Sequence, residues 1–568
     1  MTEIKLVVGI DFGTYASGVA WAKTGGRTKL PRDYDITVYQ LWPRAHSFNY
    51  FKTRTVLLRS DSGEIIAYGN EASLEYVTRL RKGEADSLQL KENFKLDLTS
   101  RDTAKREQAI RDAVDYLGWL RRQALKALMD SGDDVPEEHI RWCITMPVVT
   151  VEGLEGYDSV LRNEVAGPAG FPADDREKLM LVAEPEAAAV YWQVQGQQLG
   201  ERFTVVDAGG GTVDISTLEV TDDDTLDQIG FQAGGRLGSS FLDARFKEMV
   251  WSRLAKEHDW QRTTSPNPDD WATIMTNWEV DKRTWDFAAG QTYRVRIPRR
   301  KDSRSYGTDA DGAGSKDTDL EIPGDQILAK VFDPLIAEIL AEFDKAQADL
   351  PEGSAVEQVL LVGGFGGSRY LQRRLEQHIA DRERLTRLPD PRSAEAILRG
   401  TVYYGLNPQF VHARRMQYTY GCQFFGIRGQ PHEKQMAEHR RVKRSRWSRP
   451  EDTGVQLRTF ATRGEVIKAG TVREVAPFYP VDFRDRHVAF KIFATTEPDP
   501  YIIEKCKPLG GCDLPVKTPW WQSTSRRPID VTVILGEAEM VFRVSDRRRP
   551  ESSKEIKLHY FGGHHEGL

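Results

Sequence analysis

The sequence predicts an α/β chain: a duplicated, two-lobed α/β domain followed by a smaller, mainly-β, sandwich-like domain. Three observations carry this. A strand, glycine turn, strand unit occurs twice, as "GIDFGTYASGVA" from Gly9 and "VVDAGGGTVDIS" from Val205. Long segments with helical periodicity stand between and after the two units. Beyond Gly405 the texture changes to short alternating runs such as "PIDVTVILG" and "AEMVFRVSD", set off by turns bearing Pro and Gly, as in an antiparallel sheet. Residues 1–405 are read as the first domain and 406–568 as the second.

The elements follow in order. "KLVVGIDFGTYASGVAWA" is a strand, a tight turn and a second apolar strand. Thr103 to Ser131 is a helix, with Ile110, Val114, Leu117, Leu120, Leu125 and Leu128 at helical spacing. "IRWCITMPV" is a buried strand ending at Pro147. "EPEAAAVYWQVQGQ" is a helix with Pro185 in its first turn, where proline is tolerated. After the second glycine unit come helices around Phe241 to Glu257 and Ile274 to Phe287. The polar, Gly- and Asp-rich residues 299–319 read as a mobile insertion. A helix from about Gly324 to Leu350, a strand "QVLLVGG" and a helix from near Ser368 complete the domain.

A chain of 568 residues exceeds the usual size of one hydrophobic core, consistent with two domains. It is 39% hydrophobic and 29% charged, the balance of a folded soluble protein. A net charge of -6 gives no global basic field, so no nucleic-acid partner is expected. The four cysteines are too few and scattered for a disulfide framework, which fits a reducing compartment. "MTEIKLVVGI" has no long apolar core of a secretory signal, and no apolar run reaches membrane-spanning length. A cytoplasmic protein without membrane association is expected, with the nucleus as an alternative suggested by "HRRVKRSRWSRP". Such basic runs, here 439–449, are more often solvated loops.

Three consecutive glycines, Gly209, Gly210 and Gly211, cost backbone entropy and need either a turn or a ligand to explain them. In such a turn backbone N–H groups can converge on an anion with no Cβ in the way. The preceding aspartates, Asp11 and Asp207, suit the water shell of Mg²⁺, which takes few carboxylates directly. Thr14 and Thr212 add hydroxyls. One such turn is an ordinary hairpin; two, in the two halves of one region, point to a duplicated fold clamping a polyphosphate between lobes. Gly363 and Gly364 end a strand before a helix and would let a flat base approach the backbone.

These residues resemble the heat-shock-seventy, or DnaK-type, chaperones of the actin-like ATPase fold. "GIDFGT" resembles the first phosphate motif, "DAGGGTVDIS" the second, "VAEPEAAAVYW" the first connecting motif and "LVGG" the adenosine motif. The most specific likeness is "WEVDKRTWDF", where Glu279, Lys282 and Arg283 match the adenosine-holding helix and Asp286 replaces a serine. "ILRGTVYYGL" resembles the second connecting helix, with Gly400 permitting a close crossing near Ala187 to Ala189. The resemblance implies ATP/ADP and Mg²⁺ as cofactors. It implies that Asp11 and Asp207 orient the metal through water and that Glu184 sits near the attacking water. It also implies that Gly13, Thr14, Tyr15, Gly209, Gly210, Gly211 and Thr212 cradle phosphate, and that Phe365 and Arg369 flank the adenosine turn. Glu184 has a plainer reading as an acid favoured at a helix N-terminus. Implied partners are unfolded or apolar peptides, or a specific client, with nucleotide-exchange or J-domain-type co-chaperones.

The departures set further expectations. Ser73, in "YGNEASLEY", stands where the family places its catalytic lysine, so hydrolysis is expected to be slow; Lys91 and Lys95 follow in another context. The linker "NPQFVHARRMQY" lacks the family's acidic and leucine-rich character, so weak docking is expected. The C-terminal strands resemble the peptide-binding sandwich of the divergent, lidless eukaryotic branch, with no residues for a helical lid. Two alternatives are an ATP-binding scaffold that does not hydrolyse and a small-molecule kinase of the same fold.

Overall fold

The computed structural model describes residues 3–25, 34–43, 51–148, 157–195, 201–257, 268–284, 290–297, 318–380, 385–387, 393–425, 455–478, 487–498, 500, 506–515, 528–535 and 539–559. It is a mixed α/β structure in which one strand arrangement occurs twice. In the first lobe, strand Leu6–Asp11 pairs antiparallel with Ala16–Lys23 on one side and parallel with Ile140–Met146 on the other. Leu179–Ala183 then adds in parallel. In the second lobe, Arg202–Ala208 pairs antiparallel with Val213–Val220 and parallel with Gln358–Val362, to which Leu385–Arg387 adds in parallel. The apolar central strands Leu6–Asp11 and Gln358–Val362 are buried along their whole length, as parallel strands covered on both faces must be.

The helices form where local signals agree with packing. Thr103–Ser131 starts at Asp102, whose Oδ1 accepts a hydrogen bond from Lys105 N at 3.1 Å, and stops at Gly132 in the left-handed region. Its fully buried face runs through Ala109, Ala113, Tyr116, Leu117, Leu120, Ala124 and Leu128. Ile110, Val114 and Leu125, read from the sequence as core, flank that face and are only partly buried. Small alanines take the central stripe, which lets the helix lie close against its sheet. The expected helix from Gly324 is present as a continuous helical run through Gly324–Ile327, Leu328–Phe332 and Asp333–Ala348.

Two helices join the lobes at their base, Glu184–Val194 and Ser393–Leu406. They cross at Gly400, where a Cβ would stand 1.7 Å from the carbonyl oxygen of Ala187. Only glycine permits that approach. Apolar residues of both helices share one buried cluster with faces of both sheets, including Val7, Val205, Ala187, Ala188 and Val402.

The C-terminal strands form two four-stranded antiparallel sheets. Their inner faces share one core that includes Tyr420, Ile492, Leu514, Val533 and Phe542. Val531, Val533 and Leu535 on Ile529–Leu535, and Met540, Phe542 and Val544 on Glu539–Asp546, all point into it. The sequence expectation of weak linker docking is corrected. Val411–Arg415 pairs parallel with Leu226–Gln228 of the second lobe and antiparallel with Val466–Lys468, so the lobe's sheet continues into the C-terminal region. Arg414, in this linker, is buried and anchors the strand.

The basic stretch 439–449, Asp286 and nearly all of the insertion 299–319 lie outside the described residues, although Thr318 and Asp319 begin the strand Thr318–Pro323. No helix among the described residues is long and apolar enough to cross a membrane. None of the four cysteines is in a disulfide, and Cys143 and Cys422 are buried.

Candidate active site

The two glycine turns face each other. A Cβ on Gly210 would lie 2.7 Å from Tyr15 Cβ, and one on Gly211 would lie 2.4 Å from Thr14 Oγ1. Each turn is braced from behind. Thr55 donates its N–H to Tyr15 O at 2.9 Å and its hydroxyl to Gly13 O at 2.7 Å. The N–H groups of Gly238, Ser239 and Ser240, at the start of helix Ser239–Glu257, donate to the carbonyls of Gly211, Gly209 and Gly210 at 3.1, 3.1 and 2.8 Å. The carbonyl oxygens are thus occupied by the helix start, and the turn is fixed without any side chain of its own.

A cavity of about 470 Å³ opens at this junction. It collects Asp11, Gly13, Thr14, Tyr15, Glu184, Asp207, Gly209, Gly210, Gly211 and Thr212. Further along, it collects Arg283, Gly363, Gly364 and Arg369. Three residues from the sequence reading lie elsewhere. Phe365 is turned into the core of the second lobe. Lys282 is buried beside the cavity, with its Nζ 2.9 Å from Asp243 Oδ1 and 2.5 Å from Glu279 Oε2. Glu279 also pairs with Arg283, so the three motif residues of this helix form one charge cluster. The cluster reaches Tyr15, whose ring centroid lies 5.6 Å from Lys282 Nζ. Arg54 donates to the Tyr15 hydroxyl at 2.7 Å, and burial pushes that phenol up to about 12.

Gly363 has a φ of +83°, and a Cβ there would stand 2.4 Å from both Ala208 O and Asp207 Oδ1. The turn is therefore built around glycine twice over, by conformation and by its approach to Asp207. Asp207 follows the paired strands into the cavity, and its Oδ1 is buried with no hydrogen-bond partner among the described residues. Burial, with the charges of Glu184, Asp214 and Asp11, holds its carboxyl well above the usual range.

Sequence reasoning missed Lys52 and Asp214 and named Lys95 without placing it at the site. Lys95, on the short helix Phe94–Asp97, places Nζ 2.6 Å from Glu184 Oε1, and its side chain is only 4% exposed. The expectation that the site lacks its lysine is therefore corrected. Ser73 is indeed uncharged, with a buried hydroxyl lacking a partner among the described residues, but Lys95 reaches the cavity from a different segment. Lys52 pairs with Asp11 Oδ2 at 2.6 Å. Asp214 stands opposite Asp207 in the strand register and accepts from Val148 N at 2.9 Å. Burial and the Glu184 charge push its carboxyl up to about 7. The second aspartate of "VVDAGGGTVDIS" was a usable signal for Asp214; the lysines, with Lys52 some 40 residues from the first turn and Lys95 80, had none that spacing alone could supply.

Among the described residues no three His, Cys, Asp or Glu side chains cluster to hold a metal directly. Asp11 and Asp207, with the partnerless Asp207 oxygen, instead suit a hard cation that keeps most of its waters and meets phosphate oxygens. The residues fit magnesium in that role.

The fold and site define a two-lobed α/β protein whose paired glycine turns face one cavity. No family model matches the chain. Heat shock 70 kDa protein 12A of Mus musculus is 24% identical, over 73% of this chain and 71% of the relative. Heat shock 70 kDa protein 12B of Homo sapiens is 24% identical, over 74% and 71%. The chaperone protein DnaK of Thermosipho africanus is 25% identical over 45% of this chain and 37% of the relative. The chain is a distant relative of the heat-shock-seventy family.

Proposed function

We propose that this chain is an ATPase of the actin-like fold that binds Mg-ATP between its two lobes and couples the nucleotide to client binding by its C-terminal sheets. The observation that carries the reading is the convergence of both glycine turns, the Gly363–Gly364 turn and the Lys95–Glu184 pair on one cavity. The family relationship supports it, and so does the chaperone among the relatives. We place the division between an actin-like domain and a sandwich-like domain near residue 405.

In this reading the amides of Gly13 and Gly209 to Gly211, with the hydroxyls of Thr14 and Thr212, hold phosphate oxygens. The Glu184 carboxylate orients the attacking water. Lys95, held on Glu184, supplies positive charge where the transferring group becomes most anionic. Asp11 and Asp207 would hold a magnesium ion through its waters, and the ion would supply charge neutralisation at the phosphates. Phosphoryl transfer asks the protein for positioning and electrostatics, and this cavity is equipped for both. The non-hydrolysing alternative drew on the missing lysine, and Lys95 removes that motive. The deciding experiment is ATP turnover by the purified chain with and without an unfolded peptide. Peptide-stimulated release of phosphate is expected, and binding without any turnover would leave only the scaffold reading.

A further inference from the structure

Lys52 is not an incidental surface lysine. It lies on the strand Lys52–Arg54, which pairs antiparallel with Ala16–Lys23 so that Lys52 stands opposite Gly18. A Cβ on Gly18 would lie 3.2 Å from Lys52 Cγ, so the lysine stem runs across the one residue of that strand with no side chain to obstruct it. Thr53 is fully buried, and Thr55 is hydrogen-bonded to the backbone of Gly13 and Tyr15. The segment is thereby fastened to the first phosphate turn. Lys52 Nζ reaches Asp11 Oδ2 at 2.6 Å, while Thr145 Oγ1 donates to Asp11 Oδ1 at 3.4 Å.

The charge balance of the cavity follows from this placement. Its lining carries four cationic side chains, Lys52, Lys95, Arg283 and Arg369, against the three carboxylates of Asp11, Glu184 and Asp207. Two of the cations, Lys52 and Lys95, are each committed to one of those carboxylates. A bare aspartate beside a phosphate repels it strongly in a partly desolvated cleft, and a divalent cation is the usual remedy. Here the protein's own ammonium already neutralises Asp11. Lysine is a compact charge on a flexible stem, so Nζ can pass from the carboxylate to a phosphate oxygen by rotation alone.

We propose that Lys52 is a nucleotide-contact residue that lets this cleft hold the triphosphate of ATP without a divalent cation. The inference rests on the ATP reading above. With metal present, Asp11 would hold its waters and Lys52 would move to the phosphates. Without it, Lys52 remains between Asp11 and the nucleotide and shields one from the other.

The test is calorimetric titration of the full chain with ATP, in excess Mg²⁺ and in EDTA. In the wild type, EDTA should weaken binding less than tenfold. In Lys52→Met the same comparison should show a further loss of at least tenfold, and Lys52→Arg should restore the wild-type ratio. Lys91→Met, on strand Leu88–Glu92 of a separate sheet and outside the cavity, should leave the ratio unchanged. A loss above tenfold in wild type would overturn the proposal without recourse to any variant, and so would a wild-type ratio in Lys52→Met. If wild type binds no ATP even with Mg²⁺, the ATP reading itself fails, which is a separate result from binding that needs the metal.

Discussion

Arg414 grips Glu186 with two hydrogen bonds, Nε to Oε1 at 3.0 Å and Nη2 to Oε2 at 2.8 Å, and both side chains are almost fully buried. A third bond joins Arg414 Nη2 to the Tyr404 hydroxyl at 3.2 Å. Glu186 sits two residues from Glu184 in the first turn of the same helix. The strand Val411–Arg415 is thus fastened to the helix that carries Glu184. In the proposed ATP reading, a shift of that helix would be felt at Arg414, and the converse holds equally.

Breaking this pair from one side should be costly. Arg414→Ala leaves a buried carboxylate without a partner, and Glu186→Ala leaves a buried guanidinium. Each should destabilise the protein by about 3–5 kcal/mol in denaturant unfolding. Replacing both with apolar residues of similar volume, as in Glu186→Leu with Arg414→Met, should recover most of that loss. A double variant as unstable as the sum of the singles would mean the pair is not energetically coupled.

Lys95 should matter to the chemical step and Ser73 should not. Lys95→Met removes the charge held on Glu184, and one such electrostatic contact is worth about 2.7–4 kcal/mol, or about 10²–10³-fold in rate. Single-turnover measurement of phosphate release would read this directly. Ser73→Ala and Lys91→Ala should stay within about twofold of wild type by the same scale. Equal rates in Lys95→Met and wild type would remove Lys95 from the mechanism.

The glycine turns predict steric effects of two kinds. Gly210→Val places a branched side chain where even a Cβ would lie 2.7 Å from Tyr15 Cβ, so the turns cannot approach. ATP binding by calorimetry should be lost while the lobes remain folded. Gly363→Ala adds a Cβ at positive φ and against Asp207, so it should cost stability beyond the roughly 1 kcal/mol of an unstrained glycine substitution. Gly364, where an added Cβ meets nothing within 4 Å, is the control, and Gly364→Ala should fold as wild type.

What the sequence revealed and what it hid follow one physical division. Local signals were legible: apolar spacing located the Thr103 to Ser131 helix, and Gly400 foretold the helix crossing. The glycine turns and their aspartates were legible because backbone geometry forces the residue type. Lys52, Lys95 and Arg414 were not, because a long side chain can reach one cavity from many places in the chain. Arg414 stands where acidic and apolar docking residues were expected, and its partner Glu186, 228 residues away, is invisible to any local rule. Phe365 was the opposite error, a residue adjacent to the turn whose ring the second lobe's core had claimed.

The buried carboxyls predict a proton linkage. Asp214 is pushed up to about 7 by burial and by Glu184, and Asp207 is raised by burial and by the same neighbouring charge. In the unfolded chain an aspartate titrates near 3.9. These groups therefore keep protons in the folded state that the unfolded state has released. Their contribution is fully present below about pH 4 and is lost as pH rises toward about 7. Denaturant unfolding between pH 5 and pH 8 should show stability falling with pH, and Asp214→Asn should flatten that fall. A cation favours the ionised form, so binding of Mg-ATP at pH 7 should release protons, read as a buffer-dependent binding enthalpy. Proton uptake would contradict this sign.

A ring contact joins the C-terminal strands to the second lobe. The Phe231 ring, from the second lobe, lies between two guanidinium groups, with Arg415 4.1 Å and Arg463 4.2 Å from its centroid. Arg415 belongs to the linking strand and Arg463 to the turn before Val466–Lys468. Arg415 also donates to Ile229 O at 3.1 Å and to Gly464 O at 3.3 Å, so one side chain ties both domains. Each cation–π contact contributes about 0.5–2 kcal/mol depending on desolvation, and the buried ring adds its own packing. With the Arg414–Glu186 anchor beside it, this contact should make the two domains unfold together. Scanning calorimetry of the wild type should show one transition. Phe231→Ala should separate a lower-melting C-terminal transition, while Phe231→Tyr, which keeps the ring face, should not. A single transition in Phe231→Ala would place the coupling elsewhere, in the paired strands alone.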